Sequence, residues 1–445
     1  MQYITIFDYL LLPVYLFVFY LVVKKRSVKY TDADLRKYYF MAFYLHMFGA
    51  VAYAMMIQYY YRYGDSFVFY YGSDFLNTQL LQDSGNLKYF FKPAVEVKSW
   101  YDAEVGDINY SGYFGIASNL FVMKISALLS FVSFNKYLII TLFFGLFSFA
   151  GLWRLFLVFK DINKGKQLKV LAWTVLFMPS VWFWGSGLIK DSVCIGGLGF
   201  IIHFLYKIFI KKSFSVKDII ILALLLYIVG TIKSYILIVL AVSLATFAFY
   251  KFVTPFKNLV IRSIIILVFF TGILTVAFIT NFNDQLQILA EESKVQVDKS
   301  QRNYQSVQNE DDRSRGMVKF TEMDGSIEGI ILRSPIAVFD CLFRPFIWES
   351  RKIIILFSSL EAMFLLFCTI YLLVRMKVFG FIAGIINNPF VLVFFIMAIL
   401  FALIIGFTTF NFGTMARYKI ILLPFYLFTL TYLYTLAEDK KHSPG

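Results

Sequence analysis

The sequence predicts an all-α polytopic membrane protein of about eleven transmembrane helices, with its N-terminus outside and its C-terminus inside. Three observations lead there. Of 445 residues, 60% are hydrophobic and only 16% are charged, and mean hydropathy is +0.71; a soluble domain carries roughly a quarter charged residues. Apolar runs of about 20 residues, the length that crosses a bilayer, recur along the chain. Lys and Arg gather in alternate segments between them. This balance excludes a water-soluble globular protein, a disordered chain and a nucleic-acid binder. The 42 basic residues exceed the 28 acidic ones by 14, an excess that follows from basic loops on the cytoplasmic side rather than from phosphate-backbone binding.

The first apolar run covers about Ile4 to Val23, with Lys24, Lys25, Arg26 and Lys29 behind it and no basic residue in front. A cleaved signal peptide places its positive charge first, so a retained span is expected. The second span, Tyr39 to Tyr60, follows a capping sequence, Thr31-Asp-Ala-Asp34. Residues 61–136 then form an outer loop rich in acids, containing an apolar stretch over 112–134 expected to lie in the interface rather than to cross it. Spans are expected at 137–159, 169–184 and 192–210, alternating around basic loops. The run 219–252 is too long for one span and reads as two short helices meeting at "GTIKSY", residues 230–235. A further span at 260–280 leads to a second outer loop, 281–352, whose latter half is amphipathic. Spans at 353–374, 389–410 and 418–436 close the chain. No repeat or linker divides it, so residues 1–445 read as a single membrane domain.

Polar groups at the edge of hydrocarbon are costly and mark functional sites. Asp65 follows the second span in "YRYGDSFVFYYG"; a carboxylate set among aromatic side chains there suits general-base work, and an ordinary helix-ending acid is the plain alternative. In "MPSVWFWGSGLIKDSV", Pro179 and Gly185-Ser-Gly187 mark a tight hairpin, and Lys190 and Asp191 open the next helix, as a substrate contact or as a cap and ion pair. Lys233, in an otherwise apolar run, needs an anion or a carboxylate partner, unless it snorkels to the surface. Arg344 and Glu349 stand in "LFRPFIWES", and Arg417 and Lys419 in "NFGTMARYKIILLP". Lys233, Arg344, Arg417 and Lys419 are expected to face one outer cavity suited to a phosphate. Cys194, Cys341 and Cys368 are too scattered for a disulfide framework, and three histidines offer no metal-binding set. Phosphate-cradling loops, an HExxH zinc motif and a GxSxG elbow are all missing from the sequence.

This layout resembles the GT-C superfamily of integral-membrane glycosyltransferases. "YGDSFVFYYG" is similar to the acid-bearing start of their first outer loop, which implies Asp65 as catalytic base, and the Pro-containing hairpin falls on Asp191. "PSVWFWGSGLIKDS", "LFRPFIWES" and "NFGTMARYKIILLP" also resemble Wzy- and EpsG-like repeat-unit polymerases of bacterial exopolysaccharide clusters. The resemblance implies a bacterial inner-membrane enzyme of cell-surface polysaccharide assembly. It would take a polyprenyl-(pyro)phosphate-linked sugar donor and a glycan or lipid-glycan acceptor, with membrane lipids around it. The implied binding residues are Lys190, Asp191, Lys233, Arg344, Glu349, Arg417 and Lys419. The paired acids followed by His of metal-dependent members are missing, so no metal ligand is assigned and a divalent cation stays an open alternative. The competing reading is a transporter or flippase of lipid-linked oligosaccharide, which inverted repeats and mid-span charges would favour; a non-catalytic assembly subunit is the third.

Overall fold

The computed structural model describes residues 3–105, 108–253, 327–350, 353–409 and 412–442, and every regular element among them is helical. Among the described residues, seven helices are long and apolar enough to cross a membrane, or eight if the bent pair Phe412–Ile421 and Leu423–Lys441 counts as one span. The span expected at 260–280 and the first part of the second outer loop lie outside the described residues. The chain divides into two compact units, Met1–Ile238 and Val239–Gly445.

In the first unit, α1 (Ile6–Ser27) begins at a buried carboxylate. Asp8 accepts from the Thr5 backbone and hydroxyl at 2.8 and 2.7 Å and from the backbone N–H of Leu138 at 3.1 Å. One acid thereby satisfies donors at the starts of two helices, where no intrahelical acceptor exists. The expected cap of α2 (Ala33–Met55) is Asp32, which accepts from the N–H groups of Asp34 and Leu35. A π-helical turn, Met56–Tyr61, ends α2. Gly64, at φ 138°, then turns the chain into α3, a backbone region that favours glycine.

Among the described residues of 61–136 there are four α-helices: α3 (Asp65–Gln82), α4 (Ala94–Glu104), α5 (Ile108–Phe114) and α6 (Ala117–Ser130), the last within the stretch 112–134 expected to lie in the interface. Tyr101, Phe114 and Met123 are fully buried here while Asp83, Glu96 and Glu104 are exposed. The segment is thus a small helical layer whose polar average conceals apolar faces. At 14 residues α6 is shorter than a bilayer crossing.

The core of this unit is α7 (Tyr137–Ile162), 67% of whose apolar window is buried. It packs against α2 and α10 (Lys190–Leu205). A Cβ on Gly151 would lie 2.0 Å from the Gly196 carbonyl oxygen, so these two backbones approach as closely as glycine permits. The single span expected at 169–184 is instead two short helices, α8 (Leu168–Val175) and α9 (Pro179–Trp184). Pro179 cannot donate to a continuing helix and so stands at the first turn of α9. The helices α11 (Val216–Ile232) and α12 (Ser234–Val253) meet at Lys233, inside the expected break. Lys211 bonds to Asp161 at 2.6 Å, which joins the basic ends of α7 and α10 at one side, as the charge pattern requires.

In the second unit, α13 (Ile327–Phe343) and α17 (Leu423–His442) flank α15 (Pro389–Thr408). The helix α14 (Ile353–Ile386) runs well past the expected 353–374 but breaks its geometry at Lys377. Between α15 and α17 lies the short α16 (Phe412–Tyr418). Arg375 reaches Glu438 at 2.6 Å, so the basic end of α14's first leg and the C-terminal helix share a side.

Candidate functional site

The first unit assembles a polar cluster from three of its segments. Asp65 is the first residue of α3, not the last of the preceding span, and is half-buried. Lys190, the first residue of α10, donates to the Ser118 hydroxyl at 2.7 Å and lies within reach of the Asp65 charge. Tyr113 feels the same carboxylate. One residue on, Asp191 is 1% exposed and pairs with Lys233, whose side chain is 10% exposed. The hairpin before α10 is held by Ser192, whose hydroxyl donates to the carbonyl oxygens of Gly187 at 2.6 Å and Trp184 at 3.2 Å. Lys233 sits at the α11–α12 break because a helix interior would bury its charge in hydrocarbon; the break carries the ammonium to Asp191, 42 positions away in sequence. Of the two alternatives for Lys233, anion or carboxylate, the carboxylate is present within the chain.

The second unit holds Arg344, Glu349, Arg417 and Lys419. Arg344 makes a forked contact with Glu349, its Nε lying 3.1 and 3.2 Å from the two carboxylate oxygens while Nη2 bonds one of them. Its Nη1 reaches Asp340 at 3.3 Å, one helical turn earlier, and its guanidinium lies 5.3 Å over the Phe412 ring. Lys419 is 4% exposed and donates to the Arg344 carbonyl oxygen. Glu361, 7% exposed, exerts its charge on Lys419. Arg417 is half-buried, with its guanidinium 5.1 Å from the ring of its neighbour Tyr418.

The four cations grouped by sequence therefore belong to different units, Lys233 to the first and Arg344, Arg417 and Lys419 to the second. Arg344 already spends its planar fork on a carboxylate, and Lys233 has its counter-ion. Lys190 differs: its hydrogen bond goes to a hydroxyl, while the charges of Asp65 and Asp191 act on it. Ser118, Tyr113 and Asp340 were not singled out by sequence. Asp340 had a readable signal, its i,i+4 spacing from Arg344; Ser118 and Tyr113 had none. Among the described residues, no three His, Cys, Asp or Glu side chains converge as a metal site. His46 is fully buried, with Nδ1 2.9 Å from the Ala42 carbonyl oxygen, as a packed helix residue would be.

No family model, curated protein or solved structure matches this chain.

Proposed function

We propose that the protein transfers a sugar from a polyprenyl-(pyro)phosphate donor to a glycan or lipid-glycan acceptor, as a glycosyltransferase or repeat-unit polymerase of cell-surface polysaccharide assembly in a bacterial inner membrane. One observation carries this reading. Asp65 and Lys190 stand at the starts of two helices, close enough for their charges to act on each other, and the buried Asp191–Lys233 pair adjoins them. A carboxylate and a cation held by separate helices are the minimum equipment for the reaction. Asp65 accepts the proton of the acceptor hydroxyl as its oxygen bonds to the anomeric carbon. The bond from that carbon to the phosphate oxygen breaks with its electron pair, and Lys190 stabilises the departing anion. Attack opposite the leaving group inverts the anomeric centre.

The test is transfer from a labelled polyprenyl-phosphate sugar in proteoliposomes. Asp65→Asn keeps the shape and removes the base, and should lower the rate by about 10²–10⁴ with normal accumulation in the membrane. Asp74→Asn, further along α3, should be milder. Near-normal product from Asp65→Asn, with a strong defect from Asp191→Asn, would move the base to the hairpin. Transfer unaffected by any of these changes or by Lys190→Ala would remove the reading.

A second reading has its own support. A Lys at a helix break, paired with a buried acid, is the kind of element transporters move. Under it, proteoliposomes would translocate a lipid-linked oligosaccharide without forming a glycosidic bond, and Lys233→Met would stop that movement.

A further inference from the structure

The first unit contains a groove of about 470 Å³ that the proposed reaction does not use. Its volume is that of a small-ligand site, for which ~300–1,000 Å³ is usual. Val22 of α1, Leu129 of α6, Phe143 and Phe147 of α7, Val193 of α10 and Ile228 of α11 line it. Its polar lining is confined to Arg26 and Tyr39. Arg154 follows on the same stripe of α7, four residues beyond the groove-lining Ala150 and seven beyond Phe147. It is half-buried, its guanidinium lies 5.2 Å from the Phe200 ring, and the charge of Arg26 acts on it. Neither arginine has a carboxylate partner among the described residues: Asp218, the acid whose charge reaches Arg154, is bonded to Lys207 at 2.8 Å. The hydroxyls of Tyr30 and Tyr39 lie in the same electrostatic neighbourhood. Lys24 and Lys25 extend the positive charge at this end of α1.

Arg26 in the groove wall and Arg154 on the adjoining helix, neither bonded to a carboxylate among the described residues, complement one kind of molecule: an anion with a hydrocarbon tail. The charge pattern assigns this end to the cytoplasmic face, where bilayers present anionic headgroups and where basic pockets between helices hold them. We propose that the groove binds one anionic phospholipid, its phosphate between Arg26 and Arg154 and an acyl chain along α7. Arginine suits the task because its fork takes two phosphate oxygens at once and its charge persists at any physiological pH.

The experiment is native mass spectrometry of the full chain in detergent, with phosphatidylglycerol or phosphatidylcholine added at equal concentration, alongside the thermal midpoint in each. Phosphatidylglycerol should be retained one per chain, at least tenfold in preference to phosphatidylcholine, and should raise the midpoint. Arg26→Gln and Arg154→Gln should each abolish the preference. Ala150→Leu, which fills the groove and leaves both guanidiniums, should cut retention as strongly. Arg26 is exposed, so its variant accumulates even if the Arg154 variant does not. Equal retention of the two lipids, or an unchanged preference in Arg26→Gln and Ala150→Leu, overturns the proposal. Stabilisation by inorganic phosphate alone, equal to that by the lipid, would make this a simple anion site and overturn the lipid. Tighter retention of polyprenyl phosphate than of phosphatidylglycerol would overturn the choice of lipid.

Discussion

The two units place charge inside apolar structure by different means. In the first, Asp191 and Lys233 meet, 1% and 10% exposed and 42 positions apart. In the second, one arginine is shared between two acids close to it in sequence, Asp340 and Glu349, its side chain 21% exposed and theirs 9% and 19%. The first pair depends wholly on the packing of α10 against α11 and the start of α12. The second is largely written into one stretch of ten residues, 340–349, and is only then clamped by Lys419 on the Arg344 carbonyl. A pair distant in sequence loses this contact entirely when either member is lost. A local, branched network retains a contact whichever acid is removed.

That contrast sets the order of expected effects. Lys233→Met leaves Asp191 buried without this counter-charge and should destabilise the protein by about 3–5 kcal/mol, the usual cost of breaking a buried pair. The double variant Asp191→Asn with Lys233→Met should recover much of the loss. Unfolding midpoints in detergent for the two single variants and the double measure the coupling directly; strictly additive losses would show that the pair is not a unit.

A smaller effect is expected from Arg344→Lys. The charge stays, but one ammonium cannot span Glu349 and Asp340 together, and a charged hydrogen bond contributes about 1.5–3 kcal/mol. The same melts should also place Glu349→Gln above Arg344→Lys in stability, because Asp340 still holds the guanidinium. If Glu349→Gln were as damaging as Lys233→Met, the supposed redundancy of the second unit would be gone.

The smallest effect belongs to Lys98 and Asp102, an i,i+4 pair at 2.6 Å with side chains 40% and 37% exposed. The Lys98 hydrogen bond holds the Asp102 carboxyl below its usual range. Water already solvates both groups, so Lys98→Ala should leave the midpoint unchanged within the resolution of the melt. A clear drop would mean that the 61–136 layer depends on its surface charges rather than on its buried aromatic residues.

Much of the frame was legible in the residues alone. Hydropathy locates a span because the cost of water-exposed apolar surface accumulates along one continuous stretch, and α1, α2, α7 and α15 lie close to where it put them. The break at Lys233 was legible for the same reason, since an ammonium in the middle of the apolar run 219–252 cannot be ignored. The cap at Asp32 follows from a local rule that needs no neighbour. Two features were not legible, for want of locality. Residues 61–136 average as polar, yet their helices bury Tyr101, Phe114 and Met123 against one another. Residues 169–184 average as apolar enough to cross, yet Pro179 divides them.

What the chain's own order determined, then, is which segments are apolar helices and which residues carry isolated charge, because both are properties of consecutive side chains. Tertiary structure alone decided the partners: that Lys233 meets Asp191, that Lys190 meets Ser118 and feels Asp65, and that the charge of Arg26 on α1 acts on Arg154 of α7. Each of these rests on the approach of two helices distant in sequence. That approach is set by close packing such as the contact of Gly151 with Gly196, a matter of shape in three dimensions on which a list of residues is silent.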